Sequence, residues 1–299
     1  MSKRWIRALG AGLVGLAALA AGVAGVGLFL AQQKMQRRVD VPVQPVAMRS
    51  DGAALERGRY LYASRGCVDC HGADGAGRLF LDDGAGLRIA GPNITRGPGG
   101  VVADYRQVDW VRSIRHGVSP RGRALMIMPS EDYNRLTDED LASLIAYVRA
   151  LPPTAGAGAV VELPLPVRAL YGLGYIKDAA ARIDHTLPPS APVPEGVTVA
   201  HGEYVANMCQ GCHGAGLAGG RIPGSPPDWP PAAKLTPGEG TALALYPDAD
   251  SMIAMFRTGR RPDGTAVKVM PFESLSEMSD TDLRALHLYL KSLPPRPRG

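Results

Sequence analysis

The sequence predicts an all-α chain: two tandem copies of one small helical domain behind an N-terminal transmembrane helix. Three observations predict it. A five-residue stretch, Cys67-Val68-Asp69-Cys70-His71, returns as Cys209-Gln210-Gly211-Cys212-His213, 142 residues further on. Each half closes on an apolar stripe of helical period, introduced by a residue suited to cap a helix. Residues 9–31 are almost wholly apolar, and no charge occurs between residues 8 and 33.

The apolar run is a little over 20 residues long, enough to cross a hydrocarbon core as a helix. A cleavable signal peptide is the rival, since Ala17-Ala18-Leu19-Ala20-Ala21 offers small residues suited to cleavage. The run exceeds an ordinary signal core, which favours an uncleaved membrane anchor over residues 1–38. Residues 39–51, with Pro42 and Pro45, are expected to form an extended stalk.

One register runs through both halves. Met128-Pro129 maps to Met270-Pro271, Asp140-Leu141 to Asp282-Leu283, Tyr147 to Tyr289 and Leu151-Pro152-Pro153 to Leu293-Pro294-Pro295, all at the offset of the paired cysteines. Upstream, Gly58-Arg59-Tyr60 and Gly202-Glu203-Tyr204 correspond at 144. The copies are therefore drawn as 52–153 and 196–299, joined by a connector over 154–195. Each should hold a first helix (53–65; 199–208), the cysteine motif, a Gly/Pro-rich loop, a second helix (108–116; 250–258), a Met-Pro loop and a last helix. Thr137 and Ser279 are the N-cap candidates for that last helix, each followed by acidic first-turn residues. Leu-Pro-Pro stops it in both copies.

C-x-x-C-H reads as covalent c-type haem attachment. Two cysteines three apart share one face of a helical turn, so each sulfur can bond one vinyl group of the same porphyrin. The following histidine then comes beneath the ring as an axial ligand. The motifs use all four cysteines. A structural zinc site would want paired Cys-x-x-Cys motifs about 15–20 residues apart. A thioredoxin-like pair would want a βαβ setting, and two local disulfides would leave His71 and His213 without a reason. The expected cofactor is two covalently bound haem c, attached at Cys67, Cys70, Cys209 and Cys212.

Met128 and Met270 are the candidates for the second axial position, beside His71 and His213 as iron ligands. Each lies 57 residues after its histidine and precedes a proline, which discourages helix and leaves the side chain on a loop. Methionine more often fills core, but the shared register and shared Met-Pro weigh against that here. Met126 is discounted because its counterpart is Lys268. His116 aligns with Thr258, His287 lies among leucines, and His185 and His201 flank the connector, so none is repeated as a ligand.

The formal charge of +5 does not indicate nucleic acid. Residues 1–38 hold six basic and no acidic residues, leaving 27 basic against 28 acidic in the rest.

At these residues the chain resembles the class I c-type cytochromes. It is more closely similar to the multihaem cytochrome c subunits of membrane-bound bacterial alcohol, aldehyde and sugar-acid dehydrogenases. Cys67-x-x-Cys70-His71-Gly72, Gly91-Pro92-Asn93-Ile94-Thr95, Arg115-His116-Gly117-Val118-Ser119-Pro120 and Met128-Pro129 carry the likeness, with Met270-Pro271 and Asp280-Thr281-Asp282-Leu283 in the second copy. The resemblance implies two cytochrome c-like domains and a second-shell role for Pro92, whose carbonyl would orient the haem histidine; its counterpart lies somewhere in 226–234. Those subunits usually carry three haem domains, whereas this chain has two. The expected function is a membrane-anchored dihaem electron carrier with its haem domains facing the periplasm from the bacterial inner membrane. Its donor would be a dehydrogenase or quinol, and its acceptor a terminal oxidase or soluble cytochrome. A dihaem enzyme of peroxidase or thiosulfate-oxidising type would need an open iron position, which the matched methionines disfavour.

Overall fold

The computed structural model describes residues 3–222, 224–226 and 228–295. The first two residues of the expected anchor, Pro223 and Pro227, and the last four residues of the second copy lie outside them.

Helix α1 (Lys3–Gln36) comes first, and its stretch from Leu9 to Gln36 has a mean hydropathy of 2.3 and is almost unburied. It is long and apolar enough to span a bilayer. The following residues to Ser50 are extended, as expected of a stalk, but they do not stand free. Val41 and Val46 are buried against the first helical unit, and Val39 N–H donates to Gly122 O at 2.8 Å.

The first unit is built from α2 (Gly52–Ser64), α3 (Cys67–His71), strands β1 (Leu79–Asp82) and β2 (Arg88–Ala90), α4 (Gln107–His116), α5 (Ser130–Tyr133) and α6 (Asp138–Ala150). Strand β3 (Val160–Glu162) and α7 (Leu165–Leu173) occupy the connector. The second unit is α8 (Val199–Ala206), α9 (Gln210–His213), α10 (Ala249–Thr258), α11 (Phe272–Leu275) and α12 (Asp280–Ser292). The fold is helix-rich, but the all-α expectation needs correcting. β1, β2 and β3 form a three-stranded antiparallel sheet in that order, where the sequence suggested only loop. Its hairpin is made by Asp83, whose carboxylate accepts from Ala85 N–H and Leu87 N–H.

Both last helices start as their sequence requires. Thr137 Oγ1 accepts from Asp140 N–H and Ser279 Oγ from Asp282 N–H, each at 3.1 Å. In each unit the first and last helices cross at a glycine. A Cβ on Gly58 would lie 2.0 Å from Ser143 O, and one on Gly202 would lie 2.0 Å from Ala285 O. These crossings close two separate cores, one around Leu61, Val111 and Leu141, the other around Val205, Phe256 and Leu283.

The units then exchange side chains reciprocally. Tyr60 Oη donates to Asp282 Oδ2 at 2.6 Å and accepts from Ser279 N–H at 3.0 Å. Tyr204 Oη donates to Asp140 Oδ2 at 2.7 Å and accepts from Thr137 N–H at 3.2 Å. Each aspartate is also held from its own unit's first helix: Asp140 by Arg57, and Asp282 by His201 Nε2 at 2.7 Å. Arg65 of the first unit adds an ion pair to the fully buried Asp282 at 2.5 Å.

Gly202→Ala is expected to cost about 1–3 kcal/mol in urea denaturation, since the backbones cannot part without opening the core. Gly158→Ala, which meets nothing within 4 Å, should cost little by comparison. Burial alone would raise the Asp282 carboxyl, but Arg65, Tyr60 and His201 outweigh it and hold it at about 2. A depressed carboxylate stabilises the fold above its unfolded pKa near 4, and that contribution disappears as pH falls toward 2. Asp282→Asn should remove this acid dependence. It should also cost roughly 3–5 kcal/mol, because Arg65 is left buried without its counter-charge; denaturation curves across pH 2–7 check both effects.

Candidate haem-attachment sites

In the first unit Gly66, with φ +85°, turns the chain from α2 into α3, and Gly72 leaves it at φ +73°, ψ 164°. Gly214 does the same after the second motif at φ +75°, ψ 166°. A side chain would be strained at either φ, so glycine after the histidine is a backbone requirement. The chain then folds back: Gly77 N–H donates to His71 O and Gly219 N–H to His213 O, both at 2.9 Å. Tyr62 Oη, donating to Gly72 O at 2.6 Å, and Tyr133 Oη, donating to Arg65 O at 2.8 Å, brace the first motif from two sides.

His71 Nδ1 lies 2.9 Å from Pro92 O, and His213 Nδ1 lies 2.7 Å from Ala233 O. A carbonyl can only accept, so each Nδ1 carries the proton and each Nε2 keeps its lone pair. Burial holds both imidazoles below their usual pKa, with the carbonyl bonds opposing it. They are therefore neutral at pH 7, the form that ligates a metal. Ala233 replaces proline and offers no side-chain signal. It could still have been found by counting back two residues from Leu235-Thr236, the repeat of Ile94-Thr95.

All four cysteines are free. Burial, aided by Cys70 beside Cys67 and by Asp132 beside Cys209, pushes the Cys67 and Cys209 thiols up to about 12. They are not poised as thiolates. Among the described residues no group of three or more His, Cys, Asp and Glu side chains is arranged to hold a metal ion. The donor set therefore fits a porphyrin tethered through sulfur and ligated by one imidazole, and does not fit a protein-only zinc site.

Met128 is half-buried on the first core together with Cys67 and Val68, and Met270 on the second together with Cys209. The loops that carry them match: Ser130 N–H donates to Met128 O at 2.8 Å, and Phe272 N–H to Met270 O at 2.9 Å. The four other histidines are engaged elsewhere. His116 Nδ1 is 3.0 Å from His185 Nδ1, His201 pairs with Asp282, and His287 Nε2 is 3.0 Å from Tyr246 O.

Sequence reasoning missed how the two motifs are set against each other. Asp69, inside the first motif, accepts from Ser274 Oγ of α11 at 2.8 Å. Gly211, inside the second, donates its N–H to Asp132 Oδ1 of α5 at 2.8 Å. These are again matched positions with the roles exchanged. Arg78 beyond the first motif pairs with Glu273 at 2.7 Å. Burial, with Glu131 alongside, pushes the Asp132 carboxyl well above the usual carboxylate range.

Comparison with known proteins agrees with this geometry. The chain is 28% identical over 284 residues to the cytochrome c subunit of alcohol dehydrogenase (quinone) from Gluconobacter oxydans, covering 85% of this chain and 57% of the relative. It is 29% identical to the fructose dehydrogenase cytochrome subunit of Gluconobacter japonicus, covering 85% and 56%. The chain thus spans little more than half the length of these two relatives. A diheme cytochrome c-type protein of Cereibacter sphaeroides is 27% identical, with 80% of this chain and 85% of the relative covered. A family model matches twice, over residues 53–148 and 198–290, each match enclosing one Cys-x-x-Cys-His motif. The chain belongs to the c-type cytochrome family described as cytochrome c oxidase, cbb3-type, subunit III.

Proposed function

We propose that the chain is a membrane-anchored dihaem electron carrier, with one haem domain over 52–153 and a second over 196–299. The matched histidine–carbonyl bonds, at His71–Pro92 and His213–Ala233, carry this reading. A covalently bound haem c supplies one-electron exchange between ferric and ferrous iron. Cys67 and Cys70 would hold one such group, and Cys209 and Cys212 the other. His71 and His213 would present Nε2 to these groups, and Met128 and Met270 would supply sulfur from the Met-Pro loops. With a histidine and a methionine both held by each haem, no place would be left for a substrate, and the chain would carry electrons without catalysing. The Asp69–Ser274 and Gly211–Asp132 contacts fix how far apart the two attachment sites lie.

The names of the relatives support a dehydrogenase as donor; a quinol is the other donor this reading allows, and a terminal oxidase or soluble cytochrome is the acceptor it proposes. Covalent haem attachment and the apolar α1 support a chain fixed in the bacterial inner membrane with both domains in the periplasm. The acceptor side is suggested by one break in the repeat. Ahead of Met128 a hairpin pairs Val118 with Ala124, and the matching one ahead of Met270 pairs Arg260 with Ala266. The first is covered by the stalk, through Val39–Gly122, and by the end of α1, whose Met35 O accepts from Arg123. The second is bare and carries Arg260, Arg261 and Lys268 against Asp263 alone. An acidic redox partner suits that surface.

Purified protein is expected to hold two equivalents of haem and to show two one-electron waves on redox titration. Met128→His and Met270→His should each lower a different wave, by part of the roughly 0.8 V range that axial ligands command. Unchanged waves in both variants would show the ligands to be misassigned. Association with an acidic acceptor should slow as salt rises from 10 to 150 mM. In stopped-flow, Arg261→Glu with Lys268→Glu should slow association and flatten that salt dependence, while leaving both waves in place.

A further inference from the structure

The connector contains a stretch that neither haem domain explains. Between Glu162 and Lys177 lie fourteen residues, Leu163 to Ile176, with Arg168 as their one charge. An apolar segment of that length is either a buried core helix or one that enters a membrane without crossing it. Burial excludes the first. Leu165 is 61% exposed, Leu170 42%, Leu173 37% and Tyr175 74%.

Helix α7, in the middle of this stretch, packs along α1 and not between the haem domains. The approach is backbone on backbone: a Cβ on Gly172 would lie 1.8 Å from Gly27 O, and one on Gly27 would lie 2.8 Å from Ala169 O. Small residues at such a crossing are how helices associate where lipid surrounds them. The polar contacts gather at one end. Lys34 Nζ donates to Tyr171 O at 2.9 Å, and Arg37 makes a 2.8 Å ion pair with Asp178, which also accepts from Tyr171 Oη. The first turn of α7 therefore lies further along α1, away from its charged end. There Pro166, Leu170 and Leu173 line an apolar groove with Leu16, Leu19 and Val23 of α1. Arg168 lies about 160° around the helix from Leu170 and about 140° from Leu173, so the charge turns away from these two leucines. It is half-buried.

We propose that α7 is a second membrane-embedded element, seated in the periplasmic leaflet beside α1, with Leu170 and Leu173 against lipid acyl chains. The occupant follows from continuity: the exposed leucines of α7 extend the unburied apolar surface of α1. This rests on α1 being a membrane anchor. Lys34, Arg37, Tyr175 and Lys177 then mark the headgroup level, where amphipathic and basic side chains settle. Anchoring through α7 as well as α1 would add to the packed stalk a second constraint on the orientation of the first haem domain to the membrane plane.

The test is photo-crosslinking of the full haem-loaded chain in vesicles of phosphatidylethanolamine and phosphatidylglycerol. A diazirine amino acid is placed singly at Leu19, Leu170, Leu173 or Leu288, all exposed positions, with Leu288 on α12 as the control. Lipid adducts at Leu170 and Leu173, in yield within about threefold of that at Leu19 and absent at Leu288, are expected. Adducts at Leu19 with none at Leu170 and Leu173 would overturn the proposal and leave the anchor standing. Protein adducts at Leu170 and Leu173 would overturn it in favour of a partner helix or a second copy. Absence of lipid adducts at Leu19 as well would overturn the anchor, and the proposal with it.

Discussion

The whole arrangement depends on two aspartates buried at the join between the haem domains. Asp140 and Asp282 sit one turn into their own last helices, each gripped by a basic or imidazole side chain of its own unit and a tyrosine of the other. A buried carboxylate is costly unless its lone pairs are filled. Here they are filled only when both units are docked, which makes the charge a device for specificity. The same tyrosine oxygens reach the backbone N–H of the capping residue, so docking and helix initiation share atoms. Once the last helices are fixed this way, α5 and α11 fall against the opposite cysteine motifs.

Much of this was legible in the sequence because duplication prints each requirement twice. Thr137 and Ser279, three residues before acidic first-turn positions, announced their caps. The Cys-x-x-Cys-His motifs announced their chemistry, and the common offset paired Met128 with Met270. Asp140, Asp282, Tyr60 and Tyr204 were visible as repeated residues, but nothing local distinguishes a tyrosine that crosses an interface from one that lines a core. The carbonyl of Ala233 has no side chain to betray it and could be reached only by counting back from the repeated Leu235-Thr236. The sheet was obscured for another reason: its strands are three or four residues long, and β3 lies seventy residues from its partner, beyond the reach of any local pattern.

Where the copies differ, the difference follows which unit packs on the stalk. The first unit keeps a proline at the histidine carbonyl, supports its motif with Tyr62 and Tyr133, and is packed by the stalk and the connector. The second replaces the proline with Ala233 and leaves its Met-side hairpin exposed and cationic.

The reciprocal join has the form of a two-fold dimer written into one chain, since each patch meets its own counterpart. Two separate copies using these contacts would find each other only at sufficient concentration. The connector of 154–195 turns that encounter into an intramolecular one, where a short tether supplies on the order of millimolar effective concentration. Pairing of the two cysteine-motif units is thereby freed from how much of the protein the cell makes.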